Sequence, residues 1–337
     1  MSSSHPDNND FASESKEDSI TTDTASSDGA SNSNDVTISL SIQEQDAKNG
    51  LEVIGEAISL SIQEQDAKTR AQMEAIGEEV RANQKLTSEL LNISELEKDF
   101  SAASDAANVG FLQGCAYLAT QYKSYRAVRG DGNCYYRAFL FALVEHLCKK
   151  STTIEELKRI RDYVGRSIED VVKCGYDRFT IDMFHEEMVD LLTAVAKEKE
   201  TSSSISTSLH HRLNEENATS DYCVWYLRVI TSAYLKSDPD LFVHFLDDPS
   251  YIDVASYCAK EIDPMGKECS MVGVLALAEA FQINVDIEYM DGRCFDGTDN
   301  QKLVKHSFGN DSNKSSDDST LRITLLYRPG HYDILYK

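Results

Sequence analysis

A helix-rich α+β domain is the fold class this chain predicts, on three observations. Apolar residues recur at helical spacing through most of residues 90–281. Two extended runs follow, Ile283 to Tyr289 and Leu321 to Arg328, and Pro329-Gly330 separates the second from a third, His331 to Tyr336. Ahead of everything lies a stretch with almost nothing apolar, so the domain occupies only the later part of the 337 residues.

That first stretch, residues 1–37, is rich in Ser, Asp, Asn and Thr and holds eight acids against one lysine. It cannot bury enough apolar surface to offset chain entropy and is predicted to be a disordered acidic tail. An internal repeat follows: Ile38 to Lys48 recurs unchanged as Ile58 to Lys68. Two copies are too few for a solenoid. Residues 38–90 therefore read as a partly helical arm carrying a tandem duplication. From Ser61 to Lys85 the composition favours helix, and Ile62, Met73, Ile76 and Val80 share a thin stripe, too thin for a core of its own.

Near Leu90 the character changes, and the domain is placed at 91–337. Leu91, Ile93, Leu96, Phe100, Phe111, Leu112, Tyr117, Leu118 and Tyr122 supply helical faces. Arg129-Gly130-Asp131-Gly132-Asn133-Cys134 then makes a tight loop, and the run from Cys134 through Leu140, Leu143, Val144 and Leu147 is a helix with Lys149-Lys150 suiting its C-terminal dipole. Further helices are expected at Ile154 to Cys174, at Ile181 to Val195 with Thr180 as cap, at Asp221 to Lys236, at Tyr251 to Cys258 and at Met271 to Phe281. Tyr222, Trp225, Tyr226 and Tyr234 form an aromatic core stripe that Phe242, Phe245 and Leu246 continue. His185 reads as a packing or surface histidine, His244 as locally satisfied, and 197–211 and 309–319 as polar connections. Ile283, Val285, Ile287 and Tyr289 alternate with Asn284, Asp286 and Glu288, which predicts a half-exposed strand.

The charge of −24 disfavours nucleic acid and anionic membranes, which need clustered Lys and Arg, and favours a basic protein partner. No apolar run approaches the length of a membrane span, and the N-terminus lacks the pattern of a secretory signal. Eight cysteines contain no Cys-x-x-Cys pair, so a zinc ribbon or redox dithiol has no support and no metal is expected. The expectation is a cytoplasmic protein with reduced thiols, the nucleus remaining open to it.

Chemistry concentrates in two places. Cys134 sits where a turn becomes a helix, so backbone N–H groups and the helix dipole favour its thiolate and could hold an oxyanion. On this loop alone, a buried structural thiol is the commoner outcome. His331 and Asp333 lie two apart in an extended segment and face one side, as the base and orienting carboxylate of a cysteine hydrolase would. Taken singly, each also reads as an ordinary turn or strand-end residue. Arg137, one turn into the helix, reads as a structural ion-pair partner.

Together, Asp131-Gly132-Asn133-Cys134 and Tyr327-Arg328-Pro329-Gly330-His331-Tyr332-Asp333-Ile334-Leu335-Tyr336 resemble the otubains among the OTU (ovarian tumour) cysteine proteases. Thr219-Ser220-Asp221-Tyr222, Tyr226-Leu227-Arg228, Thr231 to Leu235 and Glu288-Tyr289-Met290-Asp291 extend the resemblance, in the family's order, over about 91–337. It implies a papain-like fold with a small central sheet flanked by helices. It implies Cys134 as nucleophile, His331 as general base and Asp333 as its orienter, with Asp131 as the motif aspartate whose loop with Gly132 and Asn133 lends amides to the oxyanion hole. Tyr135 departs from the family's usual phenylalanine but keeps an aromatic ring. The implied reaction is hydrolysis of isopeptide bonds in polyubiquitin without a cofactor, leaning to the linkage that directs proteins to the proteasome. The arm would contact ubiquitin or a ubiquitin-conjugating enzyme (E2). A second reading from another class is a regulator that binds ubiquitin and E2 without needing its triad.

Overall fold

The computed structural model describes residues 59–60, 62–101, 108–200, 205–246, 250–295, 302–309 and 321–337. The acidic tail, the first repeat copy and most of the 309–319 connection lie outside the described residues. The chain divides into two compact units after Arg70. In the first, residues 59–60 and 62–70 are helical; in the second, residues 71–83 are helical and end at the segment that enters the fold.

Six strands make one mixed sheet in the order β1-β2-β6-β5-β3-β4: β1 Leu91–Asn92, β2 Ser124–Arg126, β3 Asn284–Tyr289, β4 Val304–Phe308, β5 Arg322–Arg328 and β6 His331–Tyr336. β3 and β5 run parallel and the other pairs antiparallel. The β5–β6 hairpin is closed by Pro329 and Gly330, which places Arg328 opposite His331 and Leu326 opposite Asp333. Gly330 has φ 73°, the second central position of a turn whose first position suits proline. A side chain there would also meet Glu268 Oε1 at 2.7 Å.

Alternation along β5 and β6 divides the core in two. Ile323, Leu325, Tyr332 and Ile334 face a large cluster supplied by the helices Cys134–Cys148, Ile154–Lys173, Arg178–Lys199, Thr219–Ser237 and Met271–Phe281. Leu326 and Leu335 face the opposite layer, with Ile93, Leu96, Cys115, Leu118 and Tyr122. The helix Cys134–Cys148 is buried almost all round and packs on β6. Its first residue therefore ends beside the start of that strand. A third cluster joins Leu235, Phe242, Tyr257, Ile262 and Val272. The sheet flanked by helices agrees with the fold class the sequence predicts.

Several local expectations change. The helix expected at 181–195 runs Arg178–Lys199, and its cap is Asp177, which accepts from the Thr180 amide and hydroxyl. Thr180 thus belongs to the first turn. The helix expected from Tyr251 begins at Val254 behind an Asp253 cap and continues as a π-helical turn, Cys258–Ile262. Phe245 is exposed, as is His244, so Phe242 and the partly buried Leu246 continue the core there without Phe245. β3 is buried on both faces. Asp286 is neutralised by Arg322 and Lys305, and Glu288 accepts from the Tyr122 hydroxyl at 2.7 Å. Alternating polarity signals exposure only where no partner arrives from another element.

Candidate active site

The Cys134 loop is shaped before any chemistry is asked of it. Gly132 takes φ 75°, and a Cβ there would lie 2.1 Å from the carbonyl oxygen of Gly266. Only glycine permits that approach. The Asp131 carboxylate accepts from the Asn133 amide at 2.9 Å and from Arg137 at 2.5 Å, and Arg137 also reaches Asp221 at 3.1 Å. Arg137 is thus the ion-pair partner its position suggests. Of the loop amides, that of Asn133 is held by Asp131, while Gly132 and Cys134 flank it at the head of the helix.

Asn133 stands at the N-cap position yet makes no capping bond with its side chain. Its Oδ1 instead accepts from Gly266 at 2.9 Å and from Arg228 at 2.8 Å. Arg228 is fully buried and donates to the carbonyls of Gly132, Ile262 and Lys267 as well, with its guanidinium 4.4 Å from the Tyr136 ring centre. One arginine therefore joins the cysteine loop to the segment 262–267. Neither Arg228 nor that segment is singled out as functional by sequence reasoning. The available signal is a lone arginine inside the apolar run Tyr226 to Ile230, which can be buried only with several acceptors waiting.

Across the cleft, β6 presents His331 and Asp333 on one face. His331 Nε2 lies 2.9 Å from Asp333 Oδ1, and the rest of the ring is within hydrogen-bonding reach of Cys134. Burial alone would depress the imidazole, but the Asp333 hydrogen bond and the sulfur beside it outweigh this and raise its pKa to about 9. Asp333 is fully buried; its Oδ1 also accepts from the Val128 amide at 3.0 Å, and its Oδ2 from Arg328 at 2.6 Å. Burial favours the acid form, yet His331, Arg328 and Val128 together hold the carboxyl below the usual range. Arg328, unassigned by sequence reasoning, was legible in principle. In a two-residue hairpin the residue before Pro329 must face His331 and sit diagonal to Asp333.

Cys134, His331, Asp333 and the Asp131–Asn133 loop thus converge, with Cys134 itself 2% exposed. Tyr135 is buried with its ring against Tyr136 and Tyr332. Beside His331 opens a cleft of about 870 Å³, lined by Gln84, Phe100, Phe111, Gly130 and Pro329 among others. Gln84 Oε1 accepts from the Gly130 amide at 3.0 Å, and Arg129 reaches the carbonyls of Arg81 and Gln84, so the end of the 71–83 helix is tied to the cysteine loop. Among the described residues no group of three or more His, Cys, Asp or Glu side chains is placed to hold a metal ion. A thiol, an imidazole, a carboxylate and helix-head amides in this arrangement can perform acyl transfer through a thioester.

Comparison with known proteins agrees. The model of the family described as Peptidase C65 Otubain matches residues 78–337. The human ubiquitin thioesterase OTUB1 is 35% identical over 267 residues, covering 79% of this chain and 89% of that protein. An Arabidopsis thaliana ovarian tumor domain-containing deubiquitinating enzyme 1 is 31% identical over 72% of this chain and 78% of its own length. Among solved structures, that of h/ceOTUB1 with ubiquitin aldehyde and UBC13~Ub superposes with a TM-score of 0.67 at 30% identity, covering 81% of this chain and 98% of that one. The chain belongs to the otubain family, peptidase C65, of cysteine-type OTU deubiquitinases.

Proposed function

We propose that this chain is a ubiquitin thioesterase and isopeptidase that cleaves polyubiquitin between the C-terminal glycine of one ubiquitin and a lysine amine of the next. The observation that carries the reading is the shared imidazole: one nitrogen of His331 bonds Asp333, which leaves the other side of the ring for Cys134. His331 takes the thiol proton, and the sulfur attacks the carbonyl carbon. Loop amides around Gly132 and Cys134 receive the oxyanion. The intermediate collapses as the imidazolium donates its proton to the departing lysine amine. Water, deprotonated by the same imidazole, then hydrolyses the thioester. Asp333 keeps the ring in the tautomer that points its lone pair at sulfur.

The preferred linkage, on the family resemblance, is the one that sends proteins to the proteasome. A second reading acts beside the first: the arm contacts ubiquitin or a ubiquitin-charged E2, as in the h/ceOTUB1 complexes with UBC13~Ub and UBCH5B~Ub. Met73 and Ile76 favour it, two apolar side chains left exposed on the 71–83 helix. Such a stripe is suited to folding onto a partner.

The test is a gel-read panel of di-ubiquitins of every linkage with wild type, Cys134→Ala and His331→Ala. Cleavage of one linkage by wild type alone is expected. No cleavage by any, with E2 binding intact, leaves the regulatory reading; cleavage by either variant removes the proposed roles. Deleting 38–80, which leaves the Arg81 and Gln84 bonds to Arg129 and Gly130 in place, should weaken E2 binding while sparing hydrolysis.

A further inference from the structure

Arg328 occupies a slot that the hydrolytic reading does not use. Its Nη2 bonds Asp333 Oδ2 at 2.6 Å and its Nη1 bonds Asp99 Oδ2 at 3.1 Å. Its guanidinium lies 5.9 Å from the ring centre of Phe100, which stacks on Phe111 at 4.8 Å. Among the described residues, Nε of Arg328 is buried without a hydrogen-bond partner. An arginine kept in place with one donor unmet is held for what its two terminal nitrogens do together.

Nη2 divides Asp333, while Nη1 is anchored on Asp99. With Oδ2 taken by Arg328, only Oδ1 remains, and it serves His331 and the Val128 amide. A carboxylate facing one cation would give His331 its full charge; here a guanidinium draws off part of it. We propose that Arg328 is a positioning residue, which fixes Asp333 edge-on to His331 and tempers the carboxylate so that the imidazolium can release its proton within the catalytic cycle. Asp99 and Phe100, from the layer that Leu326 and Leu335 face, hold Arg328 to that task. The proposal rests on the reading of His331 as the acid–base residue.

The groups around the network leave its titration clear. Asp333 faces Arg328 and His331 from the hairpin, Val128 from the segment just after β2 and Tyr125 from β2. Arg328 faces Asp99 and Phe100 from the short helix Lys98–Ser101 and Cys115 from the helix Val109–Gln121. His331 faces Cys134. Burial pushes Cys115 up to about 11 and Tyr125 up to about 12, so both stay neutral while His331 titrates.

The measurement is kcat/KM against pH for hydrolysis of a fluorogenic ubiquitin C-terminal amide. The alkaline limb reports loss of the imidazolium that protonates the leaving amine. In Arg328→Met, Asp333 keeps one cationic neighbour, His331, so the limb should move upward by about one pH unit. Activity near neutrality should fall about tenfold as proton release becomes harder. Arg328→Lys, which restores the charge, should return the limb toward wild type. In an Asp333→Asn background, Arg328→Met should shift nothing further. Should the Met variant not fold, Arg328→Gln carries the same test, offering Asp333 a donor without charge. A folded Arg328→Met or Arg328→Gln enzyme whose alkaline limb coincides with wild type overturns the proposal. If His331→Ala retains hydrolysis, the underlying reading fails instead, and the two failures are told apart by that variant.

Discussion

Two arginines, Arg228 fully buried and Arg328 partly so, hold the two halves of this active site, and they do it in different currencies. Arg228, on the cysteine side, bonds the carbonyls of Gly132, Ile262 and Lys267 and the amide oxygen of Asn133, all neutral. Arg328, on the histidine side, bonds two carboxylates, Asp99 and Asp333. In the proposed mechanism, the first fixes the shape of the backbone that receives the oxyanion, and the second fixes the charge of the side chain that steers the proton. A site that needs a preorganised cradle and a tuned base is served by one group of each kind.

The largest effect should come from removing the strand that carries one half. β6 lies between β2 and β5, so deleting 331–337 exposes edges on both sides of the sheet and strips Tyr332, Ile334 and Leu335 from two cores. No cooperative thermal transition is expected; a soluble, cooperatively melting truncation contradicts the central role of β6. Next comes Asp333→Asn, for which turnover should fall roughly 10²–10⁴-fold as His331 loses its fixed tautomer. Among the described residues Arg328 would then keep only the half-exposed Asp99 as counter-charge, so a loss of about 3 kcal/mol in denaturant unfolding should accompany the kinetic defect.

Arg228→Met should act on the other half. It leaves buried acceptors unpaired and frees the Asp131–Asn133 loop, costing about 3 kcal/mol of stability and roughly 10²-fold in kcat. Because the charge around His331 is untouched, the pH profile should keep its wild-type limbs; a moved alkaline limb would mean that the two arginines are not separable. The smallest expected effect is the pH dependence of stability itself. His331 is raised from 6.5 to about 9, so its contribution is complete below pH 6.5 and is lost as pH climbs through about 9. Asp333 is lowered from 3.8, so its contribution is present above pH 3.8 and disappears as pH falls further. Urea midpoints should therefore decline on both flanks, and Asp333→Asn should flatten both.

What the sequence discloses of this site follows from how local each part is. The cysteine loop is written in adjacent residues, Gly132 to Cys134 at a helix start, and the hairpin in His331 and Asp333 around a Pro-Gly turn. Both are legible because turn and strand geometry act over a few positions. Asp99 and Arg328 are 229 residues apart in sequence, and Gln84 and Gly130 are 46. Nothing in the local pattern around Asp99 or Gln84 distinguishes them from other polar residues on helix ends. Of the strands, β3, β5 and β6 carry the apolar β-rich signature. β1 and β2, of two and three residues, are too short to show a period, and β4 reads Val-Lys-His-Ser-Phe, a polar edge. The buried Asp286 and Glu288 mislead for the converse reason: their partners arrive from β4, β5 and the Val109–Gln121 helix and its end.

Burial also bears on how the enzyme would be labelled. It pushes the thiols of Cys115, Cys148 and Cys258 up to about 11, that of Cys269 up to about 12 and that of Cys223 higher still. At neutral pH these sulfurs are poor partners for an alkylating electrophile. Cys294, by contrast, is exposed. Cys174 is half-buried, its thiol also raised by burial; replacing it and Cys294 by serine would leave intact-mass spectrometry with a quiet background, against which a ubiquitin-derived warhead at Cys134 would read as a single adduct.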